Sequence, residues 1–209
     1  GTRLGALTDD TPKGLVEVAG QPLLTYVFET LIEAGIDELV VIVGYEGEQI
    51  VDYYGNSFRG VPIAYAWQHD QLGLGHAVLQ AAPYVDGQFV VLNGDNVLGG
   101  SLEPAIERAR QPNVDAVLLV EEVPRNEATE TGVVETADGQ VTSLREKPDE
   151  PSSTLITTGC YVLPYSIFHA CRLLQPSPRG EYELSEAVDL LVDARYRVET
   201  VHMNGWRTN

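Results

Sequence analysis

Lysine is nearly absent from this chain of 209 residues: of its 13 basic residues, only Lys13 and Lys147 are lysines. Against them stand 31 acidic residues, giving a formal charge of −18 and a pI near 4.4. Such a surface repels nucleic acid and anionic membrane, and repels phosphate-bearing ligands unless cations are gathered locally. The acidic, lysine-poor composition resembles that of proteins from salt-loving organisms; an ordinary acidic cytosolic protein is the plainer alternative. Cysteine is scarce too. Cys160 and Cys171 lack metal-type spacing and read as buried thiols in a reducing compartment. No apolar run approaches the roughly 18 residues of a membrane helix. The first residues show no basic segment followed by an apolar one, so no secretory leader is expected there. A hydrophobic content of 44% excludes a disordered chain, and the length suits one large domain.

Helix-period and strand-period segments alternate. Pro22 suits a first helical turn; Leu24, Val27, Phe28 and Leu31 follow at i, i+3, i+4 and i+7, and Gly35 ends the helix. Leu39 to Val43 and Phe89 to Leu92 are short apolar runs expected as buried strands, the second a central one. Further strands are expected over 63–67, 116–120, 154–163 and 197–202, with helices over 48–54, 76–82, 102–109, 166–174 and 184–194. Val133 to Glu135 and Val141 to Arg145 flank Asp138-Gly139, a hairpin signal. The βαβα order implies a mostly parallel sheet with helices on both faces, and the second half adds an antiparallel excursion.

In open parallel sheets, ligands bind beyond the carboxyl ends of strands. Asp95, just past Phe89 to Leu92, is therefore either a ligand for a hard cation or a turn carboxylate bonded to its own backbone. Arg3 and Lys13 are either cations for a polyphosphate or a solvated surface pair. Gly73 and Gly75 let the backbone approach a ligand, or form a partial dinucleotide fingerprint with Asp95. Lys147 is either a phosphate grip, with Glu146 accepting sugar hydroxyls, or part of an exposed strand end. Trp67 and Trp206 are either walls of a ligand site or, as the default, part of the core. Among recognised chemical motifs, no nucleophile elbow, Gly-Lys-Ser/Thr phosphate loop or zinc spacing is found.

In combination, these motifs resemble the sugar-1-phosphate nucleotidyltransferases, and most of all those that make dTDP-glucose or UDP-sugars. The resemblance rests on Gly1-Thr2-Arg3-Leu4 through Pro12-Lys13, Gln21 to Leu24, Gln68 with Leu72 to Ala77, and Gly94-Asp95-Asn96. It continues through Thr131 to Val134, Glu146-Lys147-Pro148, Thr158 to Tyr161 and Gly180 to Leu184, in the family's order. It implies an α/β fold of three Rossmann-like layers, with a mixed, mostly parallel sheet between helices. One domain is implied over 1–209, with a nucleotide half (1–130) and a sugar-phosphate half (131–209). It implies transfer of a nucleotidyl group from UTP or dTTP to a sugar 1-phosphate, with Mg2+, in the cytoplasm.

Carried over by motif, Arg3, Lys13 and Asp95 would be catalytic. Gly1, Thr2, Gln68 and Gly73 would bind the nucleotide. Gly132, Glu146, Lys147 and Gly159 would bind the sugar phosphate, and Asp95 and Asn209 the metal. The family begins with a strand before the Gly-Thr-Arg-Leu loop and places a metal-binding aspartate after its late tryptophan. The chain is therefore expected to be a piece of a longer protein, truncated at both ends. No nucleic acid or membrane partner is expected, and a homo-oligomer is open. A non-catalytic nucleotide-sugar sensor and a Rossmann-type dehydrogenase are the alternatives.

Overall fold

The computed structural model describes residues 11–208. Helix α1 (Leu23–Glu33) follows Pro22, whose φ of −56° already suits helix entry. Its buried face, Leu24, Val27 and Phe28, packs on Leu39, Val41 and Val43 of strand β1 (Leu39–Val43). Gly35, at φ 83°, ends the helix, and Ile36 N–H bonds back to the Leu31 carbonyl at 3.1 Å. Helix α2 (Gly47–Tyr54) leads to β2 (Val61–Trp67), which lies parallel to β1 from Leu39↔Ile63 to Val43↔Trp67.

The remaining long elements are α3 (Leu74–Gln80), β3 (Phe89–Leu92), α4 (Glu103–Ala109), β4 (Ala116–Glu122), β5 (Gly132–Ala137), β6 (Gln140–Glu146), β7 (Leu155–Leu163), α5 (Ile167–Leu173), α6 (Leu184–Asp193) and β8 (Val198–His202). Strands form a six-stranded sheet in the order β3-β7-β4-β8-β6-β5. Alternation along β4 shows the layers. Ala116, Leu118 and Val120 face α3, α5 and α6, whereas Val117 and Leu119 face α4. Tyr161 and Leu163 of β7 share the first core, and Cys160 and Val162 the second. The α/β fold is thus three-layered and mixed, with helices on both faces of the sheet.

Among the described strands the balance of directions is less parallel than expected. β1/β2 and β4/β8 are parallel, whereas β3/β7, β7/β4, β8/β6 and β6/β5 are antiparallel. The cause is the antiparallel excursion of the second half, which inserts β7 beside β3 and β4. Phe89 to Leu92, expected as an apolar central strand, form β3. All four residues are half-buried, and among the described residues β3 pairs with β7 alone. The buried strand is β7, every residue of which is buried. A four-residue apolar run cannot report which of two apolar strands has more neighbours.

The hairpin is as expected: Asp138 and Gly139 take φ of 51° and 77°, both positive as a two-residue type I′ turn requires. Both cysteines are buried and free, and burial pushes each thiol up to about 12. Trp206 is not in the core. It is 58% exposed, with its ring lying where a Cβ on Gly99 would be. Among the described residues, no helix is long and apolar enough to cross a membrane.

Candidate active site

Asp95 stands in the turn Asn93-Gly94-Asp95-Asn96 at the carboxyl end of β3, closed by Asn96 N–H donating to the Asn93 carbonyl at 3.1 Å. Strand β7 straps this turn in place. Its pairing with β4 slips between Thr157 and Cys160, a bulge that contains Gly159 at φ 78°. Asn93 N–H donates to the Gly159 carbonyl at 3.0 Å, and the Asn96 side-chain amide donates to the Thr158 carbonyl. A Cβ on Gly159 would lie 2.3 Å from Asn96 Nδ2 and 2.7 Å from Asn93 Nδ2, so only glycine fits.

Lys13 Nζ donates to Asp95 Oδ2 at 2.5 Å, joining residues 82 apart in sequence. Their side chains are 36% and 37% exposed. A pair so open to solvent adds little to stability, whereas it does present a cation and a carboxylate together at a strand end.

Gln68 follows β2. Gly44, Tyr45, Glu46 and Glu48 from the end of β1, with Trp67, Gln68 and His69, line a cavity of about 400 Å³. Trp67 stacks on His69 with centroids 6.1 Å apart. Gly47 underlies this wall, since a Cβ there would meet Val43 at 2.8 Å and Trp67 at 2.9 Å. Sequence reasoning missed the 44–48 segment. Its available signal is Gly44-Tyr45-Glu46-Gly47 directly beyond an apolar strand.

Gly73 and Gly75 turn out to admit the chain itself. A Cβ on either would lie 2.8 Å from the Tyr182 carbonyl, which accepts the Gly75 N–H at 2.8 Å, while Tyr182 N–H donates to the Leu72 carbonyl at 2.7 Å. This packing accounts for the paired glycines and removes the basis of the dehydrogenase alternative.

Gly132 and Glu146 are direct partners across β5/β6, with Glu146 Oε2 3.4 Å from where a Gly132 Cβ would lie. Lys147 is exposed at φ 42°, and its N–H donates to the Thr131 carbonyl at 2.9 Å. Arg179, which sequence reasoning also missed, joins three carboxylates: Glu181 at 3.2 Å, Glu183 at 3.7 Å and Glu146 at 3.8 Å. Its signal was its place next to the Gly180 to Leu184 motif. Burial pushes the Glu146 carboxyl above its ordinary value, and Glu183 adds to this, against the pull of Lys147 and Arg179.

These groups form one chain of contacts. Gln68 reaches Gly73; Gly73 abuts Glu181 and Tyr182; Arg179 links Glu181 and Glu183 to Glu146; Glu146 faces Gly132 beside Thr157; and Gly159, two residues along β7, abuts the Asp95 turn. Gly1, Thr2, Arg3 and Asn209 lie outside the described residues.

Among the described residues, no group of three or more His, Cys, Asp or Glu side chains gathers as a metal cage. The donors present fit a hard cation of another habit. Asp95 offers a half-exposed carboxylate, and the Asn93 side-chain oxygen is buried without a hydrogen bond among the described residues. Mg2+ takes one or two carboxylates and completes its shell with phosphate oxygens and water.

The sequence pattern described as Nucleotidyl transferase matches residues 1–207. The chain is 48% identical over 208 residues to UTP--glucose-1-phosphate uridylyltransferase AglF of Haloferax volcanii, covering 99% of this chain and 86% of that protein. It is 36% identical to a glucose-1-phosphate thymidylyltransferase of Streptomyces griseus, covering 99% of this chain and spanning 58% of that relative's length. Among solved structures, a UTP-bound UGPase from Acinetobacter baumannii superposes with a TM-score of 0.86 at 26% identity, over 99% of this chain and 83% of that one.

Proposed function

Because the chain belongs to the nucleotidyl transferase family, we propose that it transfers a nucleotidyl group from UTP or dTTP to a sugar 1-phosphate, with glucose 1-phosphate the first candidate. The observation that carries this is the 48% identity, across 99% of the chain, to the Haloferax uridylyltransferase. The products are a nucleotide-sugar and pyrophosphate, the chemistry of sugar-1-phosphate nucleotidyltransferases. An oxygen of the sugar phosphate attacks the α-phosphorus in line, a new P–O bond forms, and the bond to pyrophosphate breaks. No covalent enzyme intermediate is required, so positioning and charge neutralisation do the catalysis.

Lys13 and Arg3 neutralise the triphosphate and the leaving pyrophosphate. Lys147 holds the sugar phosphate, with Glu146, Gly132 and Gly159 on the sugar side. Gln68 and Gly73 read the base, with Gly1 and Thr2 on the nucleotide. Asp95 and Asn209 would hold a divalent cation, Mg2+, which when bound draws charge from phosphate oxygens. The close pairing of Lys13 with Asp95 supports placing both at the triphosphate. Residues 1–130 would serve as the nucleotide half and 131–209 as the sugar-phosphate half of one domain. Two free buried thiols support a reducing cytoplasmic setting, and the charge of −18 supports a salt-adapted surface.

The test is a screen for pyrophosphate release by the protein, crossing UTP, dTTP, CTP and GTP with several sugar 1-phosphates, in Mg2+ and across a range of salt. Release with UTP or dTTP and glucose 1-phosphate is expected. Binding of nucleotide-sugar without pyrophosphate release from any pair would instead favour a sensor.

A further inference from the structure

Gln68 has a carboxamide that can face a base either way, as donor or as acceptor, and its surroundings decide which. Gln68 Nε2 lies 3.1 Å from the Gly73 carbonyl oxygen and 2.9 Å from His76 Nδ1. A carbonyl oxygen only accepts, so the group facing it must be the amide NH2. That same NH2 then faces Nδ1, which must carry a lone pair. Both amide hydrogens are thereby committed, and Oε1, without a hydrogen bond among the described residues, is what Gln68 can offer to a ligand in the cavity it lines. The remaining ring nitrogen, Nε2, then carries the proton; the Gln80 NH2, which donates to the His76 carbonyl at 3.0 Å, lies 3.3 Å from it, two donors that make no hydrogen bond, so the shorter 2.9 Å contact at Nδ1 is the one that sets the tautomer.

We propose that His76 is a positioning residue for base choice, its Nδ1 holding the Gln68 amide so that Oε1 presents an acceptor to the N3–H of uracil or thymine. The proposal rests on the nucleotidyltransferase function above, with Gln68 at the base. Cytosine is the informative competitor because it has the same ring size but carries a lone pair at N3. Against Oε1, uracil makes a hydrogen bond and cytosine sets two acceptors together. Without Nδ1 only the Gly73 carbonyl holds the amide. It can then turn over and serve either base, at the cost of that one bond.

The experiment compares kcat/KM for UTP and CTP, at saturating glucose 1-phosphate, in the wild type, His76→Leu and His76→Asn. Asparagine can place its side-chain oxygen near the position of Nδ1. His76→Leu should lower the UTP-over-CTP ratio about tenfold or more, through the nucleotide and with the KM for sugar phosphate unmoved. His76→Asn should restore most of the ratio. A His76→Leu enzyme that keeps the wild-type ratio overturns the proposal alone. A wild type that turns over no nucleotide overturns the assigned function and the proposal with it, whereas one that turns over UTP and CTP alike overturns the proposal alone. Should His76→Leu fail to fold, long-range 15N spectra of the wild type decide the matter at a pH where the imidazole is neutral. The tautomer protonated at Nε2 is expected, and the one protonated at Nδ1 would contradict the role given to His76.

Discussion

Asp95 and Glu199 are both acidic residues paired with cations, and the difference between them separates charge used for ligand from charge used for fold. Glu199, on β8, has a side chain only 6% exposed and accepts from Arg108 Nε on α4 at 2.5 Å and from Arg197 Nε at 2.6 Å. Asp95 is 37% exposed and meets Lys13 at the carboxyl end of β3. A carboxylate that is buried and saturated ties a helix to the sheet. One that is half-exposed, on a turn fixed by β7, is positioned but still open to a phosphate or a metal.

The sharpest way to break this contrast is at Asp95. Asp95→Ala should lower kcat by about 10²–10³ or more, the scale of losing one electrostatic stabiliser of a transition state, with the urea midpoint nearly unchanged. Steady-state kinetics beside a urea melt check both halves. Next come the two lysines. Lys13→Ala should raise KM for the nucleotide roughly tenfold, and Lys147→Ala should do the same for the sugar phosphate, each a lost charge-assisted contact. Equal effects of both changes on both substrates would show that the two half-sites are wrongly divided.

Gly159→Ala tests the scaffold beneath Asp95. The new methyl meets two asparagine amides at a positive φ, so a loss of about 1–3 kcal/mol is expected from strain, read as a lower urea midpoint. Activity should fall as well, because Asn93 and Asn96 flank Asp95.

The smallest effects are in pH. At Glu199, burial raises the carboxyl, but the hydrogen bonds and charges of Arg108 and Arg197 outweigh it and leave the group below its ordinary value. Its contribution is therefore present above the ordinary glutamate pKa and lost as pH falls through the lowered folded value. Both arginines are 43% exposed, so solvent screening keeps the effect modest. At Glu146 the sign reverses: burial, then Glu183, raises the carboxyl, so stability falls as pH rises from the ordinary value through the raised one. Glu199→Gln should flatten the acid limb of stability against pH, and Glu146→Gln should remove the opposing slope just above it. Urea midpoints measured from pH 3 to 7, a range spanning the ordinary carboxylate pKa, would show both.

Local pattern carried much of the fold. The 3.6-residue spacing of Leu24, Val27 and Phe28 gives the buried face of α1, and Asp138-Gly139 gives the I′ turn. What pattern could not carry is neighbourhood. Nothing local says that β7 rather than β3 takes the most buried place, or that Gly159 sits in a bulge under Asn93 and Asn96. Motif order likewise brought Lys13, Asp95, Glu146 and Lys147 forward as candidates. Arg179 escaped because its partner Glu146 is 33 positions away, and an arginine among 11 carries no signal of its own, unlike one of two lysines. Gly73 and Gly75 were visible as glycines, but the segment that needs them small, 181–183, comes over a hundred residues later.

The division of labour between the two carboxylates is tested most directly by making Asp95→Asn and Glu199→Gln and measuring, side by side, turnover of UTP with glucose 1-phosphate and the urea midpoint. The expected pattern is crossed. Asp95→Asn should lose about a hundredfold or more in kcat, as for an electrostatic stabiliser, and keep its midpoint. Glu199→Gln should lose about 1–2 kcal/mol, as for charge-assisted bonds replaced by weaker ones, and keep its kcat. Two variants that lose stability alike, or an Asp95→Asn enzyme that turns over at the wild-type rate, would contradict the account.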